Sequence, residues 1–161
     1  MMSNTQTKMT AAEYQAYLLQ QRFGKKPKHR NKIVYIFEDG FVSNNKDDSR
    51  NHGKVTDRFD SQKEYARWCE LRMLERAGQI SDLKKQVPFE IHAPFTSSDG
   101  AKQRGTYYNA DFTYATKDGL AIVEDVKGQD RITGKYLTTS VFNLKWKLLR
   151  DKYPQYRFQL Y

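Results

Sequence analysis

Cysteine is almost missing from this chain. Cys69 is alone among 161 residues, so no disulfide forms within it, which fits a reducing compartment and a small core thiol. Histidine is nearly as scarce: His29, His52 and His92 stand in unrelated settings, without the ligand spacing of a zinc hydrolase or a histidine-based nuclease. There is no Gly-x-x-x-x-Gly-Lys phosphate loop and no glycine-rich dinucleotide fingerprint, which argues against ATP-driven and nicotinamide enzymes. No apolar run is long enough to cross a bilayer, and no apolar signal-like stretch opens the chain, so a soluble, cytoplasmic protein with no membrane partner is expected.

Acid is in deficit as well. Lys and Arg number 28 against 19 Asp and Glu, a formal charge of +9. That excess favours a polyanionic partner, because displacing phosphate counterions drives association. The length suits one domain with a single core, and no internal repeat is visible. Aromatic residues make up 14% of the chain; base stacking and the filling of a small core both account for them, with core the default.

What is present concentrates in one stretch. Tyr107-Tyr108-Asn109-Ala110-Asp111-Phe112-Thr113-Tyr114 is followed by a Lys117-Asp118-Gly119 turn and then Leu120-Ala121-Ile122-Val123-Glu124-Asp125-Val126-Lys127-Gly128. The pattern predicts a β-hairpin. Strand alternation puts Asp125 and Lys127 on one face, with Asp111 within cross-strand reach and Glu124 turned away. Two acids and a lysine at one spot suit metal-assisted phosphodiester cleavage: Mg²⁺ takes one or two carboxylates plus waters, and a lysine orients water and offsets developing charge. In this reading Asp111 and Asp125 are the metal ligands, Lys127 is the lysine, and Val126 points into the core. The competing reading is a polar edge residue beside a surface ion pair worth little. The apolar flanks, Phe112, Tyr114, Leu120, Ile122 and Val123, weigh against it, because acids embedded among them need a partner.

A helix is predicted from Ser61 to about Ala77, with Gly78 as its stop and Tyr65, Trp68, Cys69, Met73 and Ala77 facing inward. Glu64 carries two readings here. In Ser61-x-x-Glu64 it completes a capping box; on a helix packed against the hairpin it joins Asp111 and Asp125 at the metal.

With Glu64 included, the set resembles the PD-(D/E)XK nuclease superfamily, in which a helix precedes a hairpin carrying metal ligands and a lysine. Phe-Asp-Ser-x-Lys-Glu (59–64), Gly-x-Ile-Ser-Asp-Leu (78–83), Ala-Asp-Phe-x-Tyr (110–114) and Val-Glu-Asp-Val-Lys-Gly (123–128) look like a family of small phage-encoded proteins assigned to it. The resemblance covers about residues 55–160. It implies a mixed α/β fold with a restriction-endonuclease-like core: a central β-sheet flanked by helices. It also implies an active site of Glu64, Asp111, Asp125 and Lys127, with Mg²⁺ or substituting Mn²⁺. The activity implied is endonuclease cleavage of branched DNA such as Holliday junctions, by a homodimer working in a host cell interior. Ala110 stands where the superfamily name has proline, a position that is not a ligand. The alternative is a basic DNA- or RNA-binding accessory protein that keeps the fold without cleaving.

The remainder divides simply. Residues 1–31 read as a helix from about 10 to 21 and a basic arm in which Lys25, Lys26, Lys28 and Arg30 lie along a DNA backbone or form a solvated linker. Residues 32–161 form the nuclease-like domain, with strands expected over 32–37, at Val42, over 88–95 and over 156–161. A polar stretch at 43–54 reads as an inserted loop. After the lysine, Gln129, Arg131 and Lys135 are placed to clamp phosphate or to make an ordinary polar connection. A last helix over 137–153 is expected to turn Leu137, Val141, Leu144, Leu148 and Leu149 inward, with Lys145 beside that stripe, either reaching the site or, as is commoner, snorkelling to solvent.

Overall fold

Residues 31–161 are described by the structure, a computed structural model. The expected N-terminal helix and the segment carrying Lys25, Lys26, Lys28 and Arg30 lie outside the described residues. Two strands come first, β1 (Val34–Phe37) and β2 (Val42–Ser43), joined at Asp39-Gly40 with Gly40 at φ 84°. With β3 (Val55–Phe59) they form a three-stranded sheet in the order β2-β1-β3.

The polar stretch between β2 and β3 is more structured than an inserted loop. A 3₁₀ turn (Lys46–Asp48) runs into a one-turn helix, α1 (Ser49–His52). Side chains close it locally: Asn45 Oδ1 accepts from the Asp47 N–H at 3.1 Å, and the Ser43 hydroxyl bonds Asp48. His52 meets Asp39 at 2.6 Å and stacks on Phe41, with centroids 3.8 Å apart. Hydrogen bonding by Asn, Ser and Asp substitutes here for the missing apolar residues.

Helix α2 (Gln62–Arg76) begins at Ser61, whose hydroxyl accepts the Glu64 N–H, and ends before Gly78 at φ 66°. Its inward face is rotated from the expected one. Leu71 is fully buried and Met73 is 61% exposed, while Cys69 is only half-buried. Trp68 and Leu71, three apart, form the packing ridge against the sheet.

The central sheet has the order β4-β7-β8-β9. Strand β4 (Ile80–His92) is eight residues longer at its start than the expected strand, and it pairs antiparallel with β7 (Thr106–Thr116). Between them lies a short pair, β5 (Phe95–Thr96) and β6 (Lys102–Gln103). β7 turns at Gly119 into β8 (Ala121–Asp125), its antiparallel neighbour. A crossover through α3 (Ser140–Lys152) returns the chain as β9 (Arg157–Leu160), parallel to β8. The result is a mixed α/β sheet with a helix against each of two cores, as the element order implied.

The reason β4 was hard to read also positions the site. In β7, Tyr108 and Ala110 join the core beneath α3, whereas Phe112 and Tyr114 join the core beneath α2. In β4, Leu83 packs on the α2 core, but Val87 and Ile91 pack on the α3 core. Residues two apart normally share a face, so both strands exchange faces midway. The exchange falls at Gln86 in β4, whose φ is 51°, and at Asp111 in β7. A further irregularity near Asp82, at φ 54°, accompanies a register shift between Ser81 and Lys84. Burial still alternates from Leu83 to Phe89, but the core that the inward residues meet changes along the way.

In α3 the expected stripe is also replaced. Leu149 is fully buried, but Val141, Leu144 and Leu148 are 65%, 59% and 43% exposed, and Leu137 lies outside the helix at 53%. Phe142 and Trp146, stacked at 5.3 Å, turn inward with Leu149 instead. Spacing of i, i+4, i+7 defines that face as well as the leucine spacing would, and the larger aromatic surfaces take it. Among the described residues, no helix is long and apolar enough to cross a membrane.

Candidate active site

The face exchange places Asp111 at a seam between the two cores. Its Oδ2 accepts from the Val126 backbone N–H at 2.8 Å, and its Oδ1 from the Gln86 amide at 3.2 Å. The β7–β8 register, with Phe112 opposite Glu124, brings Asp111 to the level of Asp125. Asp125 is 3% exposed, and its carboxylate takes the Tyr108 hydroxyl on one oxygen and the Lys127 ammonium on the other. Lys127 Nζ also lies 4.5 Å from the centre of the Phe142 ring, a cation–π contact that holds the ammonium on the α3 side of the sheet. Val126 enters the opposite core.

Glu64 closes the group from α2. Its Oε2 accepts from the Asp60 N–H at 3.1 Å and its Oε1 from the Ser61 hydroxyl at 3.2 Å, while Ser61 Oγ accepts the Glu64 N–H at 3.1 Å. The capping role is therefore real, though the backbone donor is Asp60 and not Ser61. The same carboxylate lies in the field of Asp125. Burial, opposed by those two hydrogen bonds and reinforced by the charges of Asp60 and Asp125, raises its pKa.

The electrostatics single out Asp111. Burial first, and then the negative charge of Asp125, push its pKa up to about 7; Glu64 adds to the shift, and the Val126 N–H and Lys127 oppose it. Tyr108 is raised too, by burial and then by Asp125, so its phenol stays a donor. Three carboxylates face one ammonium.

The backbone fixes this geometry from the far side. The Tyr161 N–H donates to the Asp125 carbonyl and the Lys127 N–H to the Tyr161 carbonyl, both at 3.0 Å. Lys63, next to Glu64, donates from Nζ to the Lys127 carbonyl at 2.8 Å and sits 5.0 Å from the Tyr161 ring centre, tying the start of α2 to the end of β8. Glu124 points away from Asp125, as alternation required. It receives Arg67 on both oxygens, at 2.6 and 2.8 Å, with Tyr114 at 2.9 Å and Gln159 at 2.8 Å.

The expected phosphate-binding residues divide. Gln129, Arg131 and Lys135 are exposed on a connection folded around Asp130, whose carboxylate takes the Ile132 and Thr133 N–H groups. Lys145 does not reach the acids; its ammonium bonds the Tyr107 carbonyl at 3.3 Å. Sequence reasoning missed Tyr108, Gln86, Arg67 and Lys63. Arg67 alone had a signal, one helical turn after Glu64 on the same face. Tyr108 and Gln86 had none, because the face exchange cancels alternation.

All the candidate ligands offer carboxylate oxygen, without sulfur or imidazole, and three carboxylates share the single Lys127 ammonium: this fits a hard divalent cation that completes its shell with water. Among the described residues no three of His, Cys, Asp and Glu stand as a ready-made cage; Asp125 faces Lys127 and Glu64 faces its cap. No curated protein and no solved structure was found to match the chain. A family model described as "Protein of unknown function (DUF1064)" matches residues 51–160, a span that includes Glu64, Asp111, Asp125 and Lys127, and the chain belongs to that family.

Proposed function

We propose that this protein is a divalent-metal-dependent endonuclease acting on DNA, with a restriction-endonuclease-like core. The observation that carries the reading is Asp111: a half-buried carboxylate at the seam, beside Asp125 and Glu64, with its pKa pushed up to about 7 by desolvation and then by the charge of Asp125. Asp111 and Asp125 would hold Mg²⁺ or Mn²⁺, with Glu64 as the third carboxylate. When bound, such an ion neutralises charge on the attacking and leaving oxygens of a phosphodiester. Lys127, released from Asp125, orients the attacking water and offsets charge developing on the phosphate. Tyr108 holds one Asp125 oxygen, and Gln86 with the Val126 N–H orients Asp111. The exposed Gln129, Arg131 and Lys135 border the strand end that carries Lys127 and would contact phosphates. A preference for branched DNA, and a homodimer presenting two sites to a four-way junction, follow from the family resemblance.

A second reading, a DNA-binding protein that does not cleave, draws on one observation: Asp125 is already bonded to Lys127 and Tyr108. One experiment separates the two. Labelled four-way junction, flap, linear duplex and single strand are incubated with Mg²⁺ and the wild-type protein, Asp111→Asn, Asp125→Asn or Lys127→Ala. Internal cuts by the wild type are expected, with loss of cutting but retained binding in all three variants. Wild-type cutting by either Asn variant would remove the site assignment. Absence of cutting by the wild type on every substrate would leave the binding protein.

A further inference from the structure

The β4–β7 ribbon does not end where it leaves the cores. Past His92 and before Thr106 it continues as β5 and β6, paired Phe95 to Gln103 and Thr96 to Lys102. This finger contributes nothing to either core, and nearly every residue in it is exposed. Ordering a dozen residues that bury nothing costs conformational entropy without a packing return.

The finger is nonetheless built to hold its shape. At its tip the Ser97 N–H donates to the Ala101 carbonyl and the Gly100 N–H to the Ser97 carbonyl, both at 2.9 Å. Asp99 accepts the Ala101 N–H at 3.1 Å and the Ser97 hydroxyl, so the finger's carboxylate serves its own turn. At the base, a side-chain carbon on Gly105 would lie 3.0 Å from the Tyr107 ring and 3.1 Å from the His92 carbonyl. A side chain there would require the Tyr107 ring or the His92 backbone to give by a few tenths of an ångström, so the two chains are closely packed at this joint. Phe95 packs against His92, with centroids 4.9 Å apart, and stiffens the same joint.

Two cations remain. Lys102 and Arg104 are exposed, and among the described residues neither has an acidic partner. Lys102 lies in β6 and Arg104 follows that strand directly, so the two charges stand close together near the outer end of the ribbon. Within the finger Phe95 is the one large apolar side chain left exposed; the exposed Val141, Leu144 and Leu148 belong to α3, beside its base. We propose that this finger grips the phosphate backbone of duplex DNA to one side of the cut, a reading that rests on the nuclease proposal above. Eight residue steps lead from Gln103 to Asp111, so the finger reaches up to about 26 Å along the ribbon at about 3.3 Å per residue. At about 3.4 Å per base-pair step, its contact falls up to about eight base pairs from the scissile phosphate.

The test uses the full chain, with Lys102→Ala/Arg104→Ala as the variant. Both positions are exposed, and unchanged circular dichroism and melting temperature verify the fold. Binding to a fluorescent 30-base-pair duplex is followed over a salt series without Mg²⁺, beside Mg²⁺ cleavage of the same duplex and of a four-way junction. Loss of two phosphate contacts should reduce the slope of log affinity against log salt by about 1.8 and weaken binding at least tenfold in low salt. In junctions or flaps with one duplex arm cut below about six base pairs, the wild type and the variant should bind alike. An unchanged slope in the variant, with a wild type that binds and cleaves, overturns the finger and leaves the nuclease standing. A reduced slope with a wild type that never cleaves keeps the finger as a DNA contact and removes the nuclease. A wild type that neither binds nor cleaves removes both.

Discussion

Glu124 and Asp111 sit on neighbouring strands of one sheet, the first fully buried and the second half-buried, yet they are treated in opposite ways. Glu124, fully buried, has a bidentate arginine, a phenol and an amide. Asp111 has one backbone N–H and one amide, with a second aspartate close by. A carboxylate given every partner it needs is holding the structure together: Glu124 ties β8 to α2 and β9. One left short of positive charge raises the free energy of the fold, unless something from outside supplies the charge. The contrast separates a structural acid from a candidate catalytic one by hydrogen-bond count and charge, without appeal to sequence motif.

The largest effect should come from breaking the satisfied side. Arg67→Met leaves Glu124 charged, buried and without its cation, and should cost about 3–5 kcal/mol in urea unfolding. Adding Glu124→Gln should recover part of that loss, since the amide still meets Tyr114 and Gln159. A cost under about 1 kcal/mol for Arg67→Met would show that the two acids are not treated differently at all.

The unsatisfied side should show itself in pH. Because the folded-state pKa of Asp111 is raised, the folded protein holds a proton that the unfolded chain releases. The stability this confers is full below the ordinary aspartate value of 3.8 and is lost as pH rises through about 7. At roughly 1.4 kcal/mol per unit the swing is at most about 4 kcal/mol. Asp111→Asn should flatten the fall in melting temperature between pH 5 and 8. Mg²⁺, binding the deprotonated site, should raise the wild-type melting temperature more at pH 8 than at pH 5 and leave the variant unmoved.

Glu64 should give the smallest stability effect and thereby sharpen the contrast. Glu64→Gln keeps an acceptor for the Asp60 N–H and Ser61 hydroxyl, so stability should change by no more than about 1 kcal/mol. Mg²⁺-dependent cutting should nevertheless fall strongly. If cutting survives, Glu64 is a cap and nothing more.

Much of this arrangement was legible in local chemistry. Ser61 and Gly78 bound α2 as their cap and stop signals required, and Lys117-Asp118-Gly119 turns β7 into β8. Both are decided within a few residues. The pairing of Asp111 with the Asp125–Lys127 face followed from hairpin register. What escaped was decided elsewhere. Nothing local distinguishes Phe142 and Trp146 from the leucines of α3 until both faces of the helix compete for one core. Gln86 takes a positive φ without being a glycine or an asparagine, so its residue type does not mark the irregularity. The expectation for β4 failed there, and with it any chance of placing Tyr108 beside Asp125.

The face exchange at Gln86 and Asp111 has a consequence for how such a chain tolerates drift. Because the carboxylates lie where the two cores meet, each core can change its fillers, Leu71 and Trp68 on one side or Leu149 and Trp146 on the other, without moving the seam. A residue inserted within the finger at 97–101 is absorbed beyond both cores. A residue inserted between 84 and 89 shifts the phase of the ribbon and turns Val87 and Phe89 toward solvent. The part of the protein least able to change its length is therefore a few residues of strand with no acid and no glycine, and they determine where the acids stand.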